Sequence, residues 1–261
     1  MNGMLETARL IVKAPAHYSL RLAQSAEEIR AAQVLRFEVF NLELKEGLPQ
    51  SYANGFDEDP FDAVCDHLLV EYVPTKQIIG TYRVQTGTRA AEKLGYYCAQ
   101  EFDFSPYEKL RGRMIELGRA CVHRQHRNLV VLGQLWKGIA DYATANGARY
   151  LFGCSSITSQ DEAAGASAYA SLSRHNLVEP PLRTMPLPAY ECSLNQLAGE
   201  AVNIPKLLRA YLALGAKICG PPALDRQFKT IDFLTVLDLE AMPAPARNRF
   251  FGSGGSMFSW K

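Results

Sequence analysis

Apolar and polar residues alternate along "YSLRLAQ" (18–24), the period of a half-buried strand. The period then changes. Over "SAEEIRAAQVLRFEVF" (25–40) the apolar positions recur at helical spacing, and Ser25 with Glu28 has the S-x-x-E form of a capping box. A polar stretch with glycine and proline, 41–62, reads as a loop. "CDHLLVEYV" (65–73) and "IIGTYRVQT" (78–86), joined by "PTKQ", read as an antiparallel hairpin. An irregular segment leads to a strand at "MIELGRACV" (114–122). Asn128 caps a long helix that Gly147 ends. "RYLFGCSSI" (149–157) is a strand, a small-residue helix falls near 161–174, and a proline-rich loop covers 180–188. "PKLLRAYLALG" (205–215) is a helix with proline at its first position, and "IDFLTVLDL" (231–239) is the last strand. Strands and helices are interleaved with no repeat and no linker, which predicts one mixed α/β domain. Its expected bounds are 18–250, with an extension at 1–17 and a tail at 251–261.

Composition narrows the possibilities. Lys and Arg number 28 against 27 Asp and Glu, so no global field exists to hold a polyanion, and any electrostatic function must be local. Nucleic acid is not an expected partner, because no broad basic face with interleaved aromatics is present. The six cysteines, Cys65, Cys98, Cys121, Cys154, Cys192 and Cys219, form no C-x-x-C pair and mostly sit in apolar runs, which fits buried thiols in the cytoplasm. The start "MNGMLETARLIVKAPAH" lacks an apolar stretch long enough for a signal peptide. The longest apolar candidate, "LVVLGQLWKGIADYA", is broken by Lys137 and Asp141, short of the ~20 residues of a spanning helix.

Three groups of charged residues break the hydrophobic pattern. Glu116 lies within an apolar strand, on the face of Met114 and Gly118; simple alternation puts Arg119 on the other, with Ile115 and Leu117. Gly118 is a candidate for a bulge or for close approach of a ligand. Burial would raise the affinity of Glu116 for a proton and suit it to general-base work. Second, Asp57, Asp59 and Asp62 stand as D-x-D-x-x-D. A calcium loop needs more oxygen ligands, a glycine at its sixth position and a distant glutamate, so no metal site is expected. A solvated acidic loop is one reading; pairing with Arg36 and Arg83 around a cationic substrate is the other. Third, Arg124, His126 and Arg127 crowd the exit of the 114–122 strand, and Lys109, Arg111 and Arg113 would extend that patch.

In order, "LRFEVF", D-x-D-x-x-D, "GTYR" and E-x-x-R at Glu116 and Arg119 resemble the acyl-homoserine-lactone synthases. "FDEDPFDAVCDHLLV", "FGCSS", "PKLLRAYLALGAKICGPPALDRQFKTIDFLTVL" and "RF" at 249–250 resemble the ornithine N-acyltransferases of ornithine-lipid synthesis, over roughly 18–250. Both resemblances imply the GCN5-related N-acetyltransferase fold: a central twisted mixed sheet, flanked by helices and splayed near the E-x-x-R strand to admit an acyl-pantetheine arm. They imply that Arg36, Phe40, Asp57, Asp59, Asp62 and Arg83 bind the amino substrate, that Glu116 takes its proton, and that Arg119 orients the site or touches the donor.

Two departures refine this. The tryptophan that the lactone synthases carry after the first helix is missing from "NLELKEGLPQSYANG", which weighs against S-adenosylmethionine. Where acetyltransferases carry a glycine-rich pyrophosphate cradle, this chain has "RQHRNL", with Arg127 and Leu129 at the glycine positions. The expected donor is therefore the acyl-phosphopantetheine of acyl carrier protein, a co-substrate and not a bound cofactor, with Arg124, His126 and Arg127 pairing with its phosphate or acidic helix. The expected reaction is transfer of a long-chain acyl group, 3-hydroxylated or not, to the α-amine of an amino acid, ornithine first, giving lyso-ornithine lipid. Backbone amides of 118–122 would hold the oxyanion. The alternatives are another acceptor such as tyrosine, a lactone signal synthase, and a non-catalytic carrier- or membrane-binding module. An acyl-enzyme on Cys121 or Cys154 needs a base in reach. The tail "NRFFGSGGSMFSWK" sets Arg247 and Arg249 near Phe250, Phe251, Met257, Phe258 and Trp260. That fits peripheral contact with the inner face of a membrane, or Phe250 and Phe251 packing on the core.

Overall fold

The computed structural model describes residues 17–199 and 202–251. Met257, Phe258 and Trp260, on which the tail expectation rests, lie outside them. The elements run β1 (Tyr18–Leu22), α1 (Ala26–Arg36), α2 (Ser51–Asn54), β2 (Asp66–Tyr72), β3 (Gln77–Thr86), α3 (Gly87–Glu92), β4 (Met114–Val122), α4 (Leu129–Ala145), β5 (Tyr150–Ile157), α5 (Glu162–Asn176), α6 (Lys206–Ala213), β6 (Lys217–Ile218), β7 (Ala223–Asp225), β8 (Thr230–Asp238) and α7 (Ala244–Phe251). The sheet order is β1-β2-β3-β4-β5-β8-β6, with β7 also pairing with β8. Every pairing is antiparallel except β4 with β5.

Local chemistry accounts for most boundaries. The Ser25 hydroxyl accepts from the Glu28 amide, as the capping box predicts, and Asn128 Oδ1 accepts from the amides of Val130 and Val131 at 3.0 Å each. The chain does not leave the helix at Phe40. It continues from Phe37 to Leu44 as a π-helix, a wider turn that is rare outside functional sites, and ends at Lys45 with φ 62°. The predicted 41–62 loop is thereby shortened, and it contains α2 and a capped 3₁₀ turn at Pro60–Ala63.

The two faces of the sheet are chemically different. On one, Trp136 and Ile139 of α4 pack with Leu68, Tyr82, Val84, Ile115 and Leu237. Phe250 and Phe251 of α7 pack against this core, Phe250 at 5.7 Å from Trp136 between ring centroids, so these two tail aromatics are structural. The other face carries Arg83, Gln85 and Glu116; Gln85 and Glu116 bond the backbone of the 95–98 segment, and Leu35 of α1 packs near Cys121 further along β4. The two strands of the parallel pair share only three register positions, Met114–Glu116 with Tyr150–Phe152, and beyond Glu116 they part. Gly153 sits at the parting, where a Cβ would collide with the Leu117 carbonyl. Among the described residues no helix is long and apolar enough to cross a membrane.

Candidate active site

A cavity of about 350 Å³ opens where β4 and β5 part, and Phe40, Arg83, Glu116, Arg119 and the backbone at Gly118 line it. The volume lies within the range of small-molecule sites. Register explains what faces it. Phe152 lies beside Glu116, alternation places Cys154 and Ser156 on the same face, and Ser156 pairs with Asp232 of β8. A smaller apolar slot on the opposite face, lined by Trp136, Leu151 and Leu237 among others, shares Tyr82, Leu117 and Tyr211 with the cavity.

Both oxygens of Glu116 are engaged. Oε2 accepts from Gln85 Nε2 at 2.5 Å and from the Tyr97 amide at 2.9 Å; Oε1 accepts from the Cys98 amide at 2.8 Å. A carboxylate offers about four lone-pair positions, so one remains toward the cavity. Glu116 is buried, at 5% exposure, and its side chain also fastens the 97–98 backbone to β4.

Arg119 does not follow simple alternation. Arg83 pairs with Gly118 and Thr81 with Cys121, so β4 carries one extra residue opposite Tyr82, and Arg119 takes φ 51°. This bulge, next to Gly118 as the sequence suggested, turns Arg119 from the Leu117 face onto that of Glu116 and Arg83. Its guanidinium lies over the rings of Phe228 and Tyr97, at 4.3 and 4.8 Å, and donates to Asp59 Oδ2 at 2.8 Å.

The three aspartates form an ion-pair network with three arginines, in which Asp57 Oδ2 is left without a hydrogen-bond partner. Arg36, fully buried, donates to Asp57 Oδ1 at 2.7 Å and to Asp62 Oδ1 and Oδ2 at 2.8 and 2.6 Å. Arg83 Nη1 bonds Asp59 at 2.6 Å and Asp62 at 2.9 Å. Burial alone would push the Asp62 carboxyl up, but the hydrogen bonds and charge of Arg36, with Arg83, hold it well below the usual range. The D-P-F-D spacing is itself a capping box, Asp59 accepting from the Phe61 amide and Asp62 from the Asp59 amide. Asp57, Asp59 and Asp62, expected to receive a cationic substrate, are each bonded to arginines of this network. Their charge is matched three to three, and none lines the cavity. The network instead holds Arg83 and Arg119 at its wall.

The basic exit of β4 is also less open than its sequence. Arg127 makes a two-armed ion pair with Glu43, at 2.5 and 2.8 Å, and donates to the Val122 carbonyl. His126 accepts from or donates to Tyr18 Oη at 3.2 Å and packs at a tilt 4.8 Å from Tyr72. Burial, with His123 nearby, lowers its proton affinity. Arg124 is exposed, with no ion pair to another described residue. Lys109, Arg111 and Arg113 cannot extend this patch. They precede β4, whose nine residues span roughly 26 Å, and Arg111 and Arg113 pair with Glu108 and Glu240.

The cysteine route finds no support. Burial pushes the Cys121 thiol up to about 12, and Cys121 packs with Leu35 and Val39 under α1. Cys154 lines the cavity, but its contact with Cys98 at 3.4 Å, burial, and nearby Glu101 hold its thiol well above the ordinary value.

The sequence reading missed a second acidic group in the same cavity, Glu101, Asp225 and Asp232, all buried, with one oxygen from each lying within 4.8 Å of the others. A signal was present. Asp232 interrupts the apolar run "IDFLTVLDL" as Glu116 interrupts "MIELGRACV".

A mixed sheet parted between two central strands, with an engaged carboxylate and a bulge at the parting, is the architecture of an acyltransferase of the GNAT class. Residues 35–137 match the family described as acetyltransferase (GNAT) domain. The fold is shared with the AHL synthase LasI (TM-score 0.52, 14% identity, 94% of this chain and 99% of that one) and the CoA-dependent acyl-homoserine lactone synthase MesI (TM-score 0.51, 11% identity, 92% and 98%). The L-ornithine N(alpha)-acyltransferase of Rhodobacter capsulatus is 36% identical over 88% of this chain and 93% of its own length; that of Rhizobium meliloti is 32% identical over 94% and 87%. The chain belongs to the family of L-ornithine N(alpha)-acyltransferases.

Proposed function

We propose that the chain moves a long-chain fatty acyl group from the phosphopantetheine thioester of acyl carrier protein to the α-amino group of ornithine, giving an N-acyl product that is the lyso form of an ornithine lipid. One observation supports this reading: at the parting of β4 and β5 an apolar slot adjoins the acid-lined cavity that Glu116 borders, which suits separate seats for an acyl chain and a cationic amine.

In this reading the α-ammonium loses a proton to the free lone pair of Glu116, directly or through a water. The amine nitrogen then attacks the thioester carbon, and the carbonyl electrons move to oxygen. Backbone amides of 118–122, on the strand edge released where β5 departs, receive that oxyanion. Collapse forms the amide and expels the thiolate. Tyr82 and Tyr211, whose hydroxyls meet at 2.5 Å and border both cavities, are positioned to return a proton to sulfur; burial pushes the Tyr82 hydroxyl up to about 12, so it arrives protonated. Arg119 and Arg83, anchored by Asp57, Asp59 and Asp62 through Arg36, shape the wall and offer positive charge to the acceptor's carboxylate. Phe40 contributes an aromatic ring to the cavity wall. Arg124 meets the carrier, while His126 and Arg127 build the turn that presents it. The product is amphiphilic and leaves to the inner membrane face, where peripheral contact suffices.

The test is purified protein with carrier protein loaded with mixed acyl chains and a pool of amino acids, read by mass spectrometry. N-acylornithine is the expected product. A tyrosine adduct would reassign the acceptor, a lactone from S-adenosylmethionine would reassign the enzyme, and carrier binding without turnover would remove the catalytic reading.

A further inference from the structure

Glu101, Asp225 and Asp232 present three carboxylates to the cavity with too few cations to match them. Their exposures are 3, 4 and 4%. Asp225 Oδ1 accepts from the amides of Gln227 and Phe228 at 2.7 and 3.1 Å, and Asp232 Oδ2 from the Thr230 hydroxyl at 3.2 Å. Asp232 Oδ1 is buried with no hydrogen-bond partner, a costly condition for a carboxylate oxygen unless something absent from the chain meets it. The guanidinium acting on the cluster, Arg119, is already bonded to Asp59. Burial together with the charges of Asp232 and Asp225 holds the Glu101 carboxyl well above the ordinary range, and burial, with Asp225 adding, pushes Asp232 up to about 6. Within the cluster the Glu101 carboxyl shares a hydrogen bond with Asp232, and Ser156 also bonds Asp232, which relieves the burial and like charge only in part.

We propose that this cluster receives the terminal ammonium of an α,ω-diamino acid and so sets the acceptor specificity of the enzyme. The inference rests on the acyl-transfer reading above and adds what fixes the far end of the acceptor. Three ammonium N–H bonds at tetrahedral angles, with acceptors about 2.8 Å away, place those acceptors about 4.6 Å apart. The three carboxylate oxygens lie within 4.8 Å of one another. Glu116 and the three carboxylates line the same cavity, and the Cys98 amide that binds Glu116 lies three residues before Glu101. The two amino nitrogens of an extended α,ω-diamino acid with a five-bond path stand about 6 Å apart at standard bond lengths, so in this proposal the α-amine sits at Glu116 and the ω-ammonium among Glu101, Asp225 and Asp232.

The test compares ornithine with norvaline, which has the same carbon skeleton and no terminal ammonium, in the wild type and in Asp232→Asn and Glu101→Gln. Calorimetric binding without acyl donor is measured beside kcat/KM with it. The wild type is expected to prefer ornithine by about 10- to 100-fold in both readouts, the scale of a lost charge-assisted hydrogen bond. Each variant should erase most of that ratio by raising the ornithine KM while leaving norvaline binding near wild type; retained norvaline binding also reports an intact fold. A wild-type ratio near one, or variants that lose both ligands in equal proportion, would overturn the proposal. Tight binding of Mg²⁺, Ca²⁺ or Mn²⁺ that is lost in Asp232→Asn, with no ornithine preference, would overturn it in favour of a metal site. If ornithine is preferred in calorimetry but no amino acid is acylated from any donor, the cluster assignment stands and the acyl-transfer reading fails.

Discussion

At the scale of single residues, two carboxylates in apolar strands play opposed electrostatic parts. Glu116 is surrounded by three donors and Asp232 is left with an empty oxygen. Glu116→Gln presents an NH₂ group to at least one of the donors that now serve the carboxylate. It should cost catalysis ~10²–10⁴-fold in kcat/KM if Glu116 is the base, and about 1–3 kcal/mol of stability through the Tyr97–Cys98 clamp. Steady-state rates and thermal melts on the same preparation separate the two. A near wild-type rate with a lowered Tm would leave Glu116 structural only. Asp232 makes a prediction of opposite kind. Its proton is held more tightly folded, to about pH 6, than in an unfolded chain, near 4. Its stabilising contribution is thus complete below about pH 4 and is lost as pH rises through about 6. The unliganded wild type should therefore lose stability relative to Asp232→Asn across that window, by at most ~3 kcal/mol, seen as a falling Tm; parallel curves from pH 4 to 7 would refute the assignment.

At the scale of elements, the Asp/Arg network joins α1 to the 57–62 loop, β3 and β4. Arg36 is its hub, and removal of one partner from a buried set leaves the others uncompensated, typically at 3–5 kcal/mol. Arg36→Ala should lower Tm by roughly 10 °C. If Arg36 is the hub, Asp62→Ala added to Arg36→Ala will cost far less than the two alone predict, and additive losses in a double-mutant cycle would show that the pair is not coupled. The limits of sequence reading are visible here. The elements with clean periods, β1 to β5, β8, α1, α4, α5 and α6, were legible, as was the pairing of Arg36 and Arg83 with the aspartates; the two- and three-residue strands β6 and β7 and the short helices α2, α3 and α7 were not, being too short to show a period. The turn of Arg119 onto the Glu116 face was not, because one extra residue reverses alternation and leaves no trace in composition. Nor was the π-helix at Phe37–Leu44, whose pattern over one turn is close to that of an α-helix. The Glu101 cluster needed β7, β8 and a 3₁₀ turn to meet; Asp232 in its apolar run was the local sign, but its partners, over a hundred positions away in the case of Glu101, could not be named from it.

At the scale of the whole molecule, the partner must be selected by surface, and the structure reduces the basic exit of β4 to one free cation among its described arginines. Arg127 is spent on Glu43, His126 has its proton affinity lowered by burial and packs at a tilt against Tyr72, and the residues preceding β4 lie at the far end of the strand. Around Arg124 the start of α4 exposes Leu129 and Val130, at 76 and 60%. A cation beside two exposed aliphatic side chains suits an acidic carrier helix better than a pyrophosphate, which would require the close backbone amides that Arg127 and Leu129 replace. Matched acyl chains on carrier protein and on coenzyme A should therefore differ in kcat/KM in favour of the carrier. Arg124→Glu should raise the carrier KM and flatten its dependence on salt while leaving kcat unchanged, since the side chain is far from the reacting atoms. Arg127→Ala should act differently: it frees Glu43 and loosens the turn, so its effect on the carrier should be smaller than charge reversal at Arg124 and should come with a loss of thermal stability. Preference for coenzyme A, or a carrier KM insensitive to Arg124→Glu at low salt, would place the donor's docking surface elsewhere on the molecule.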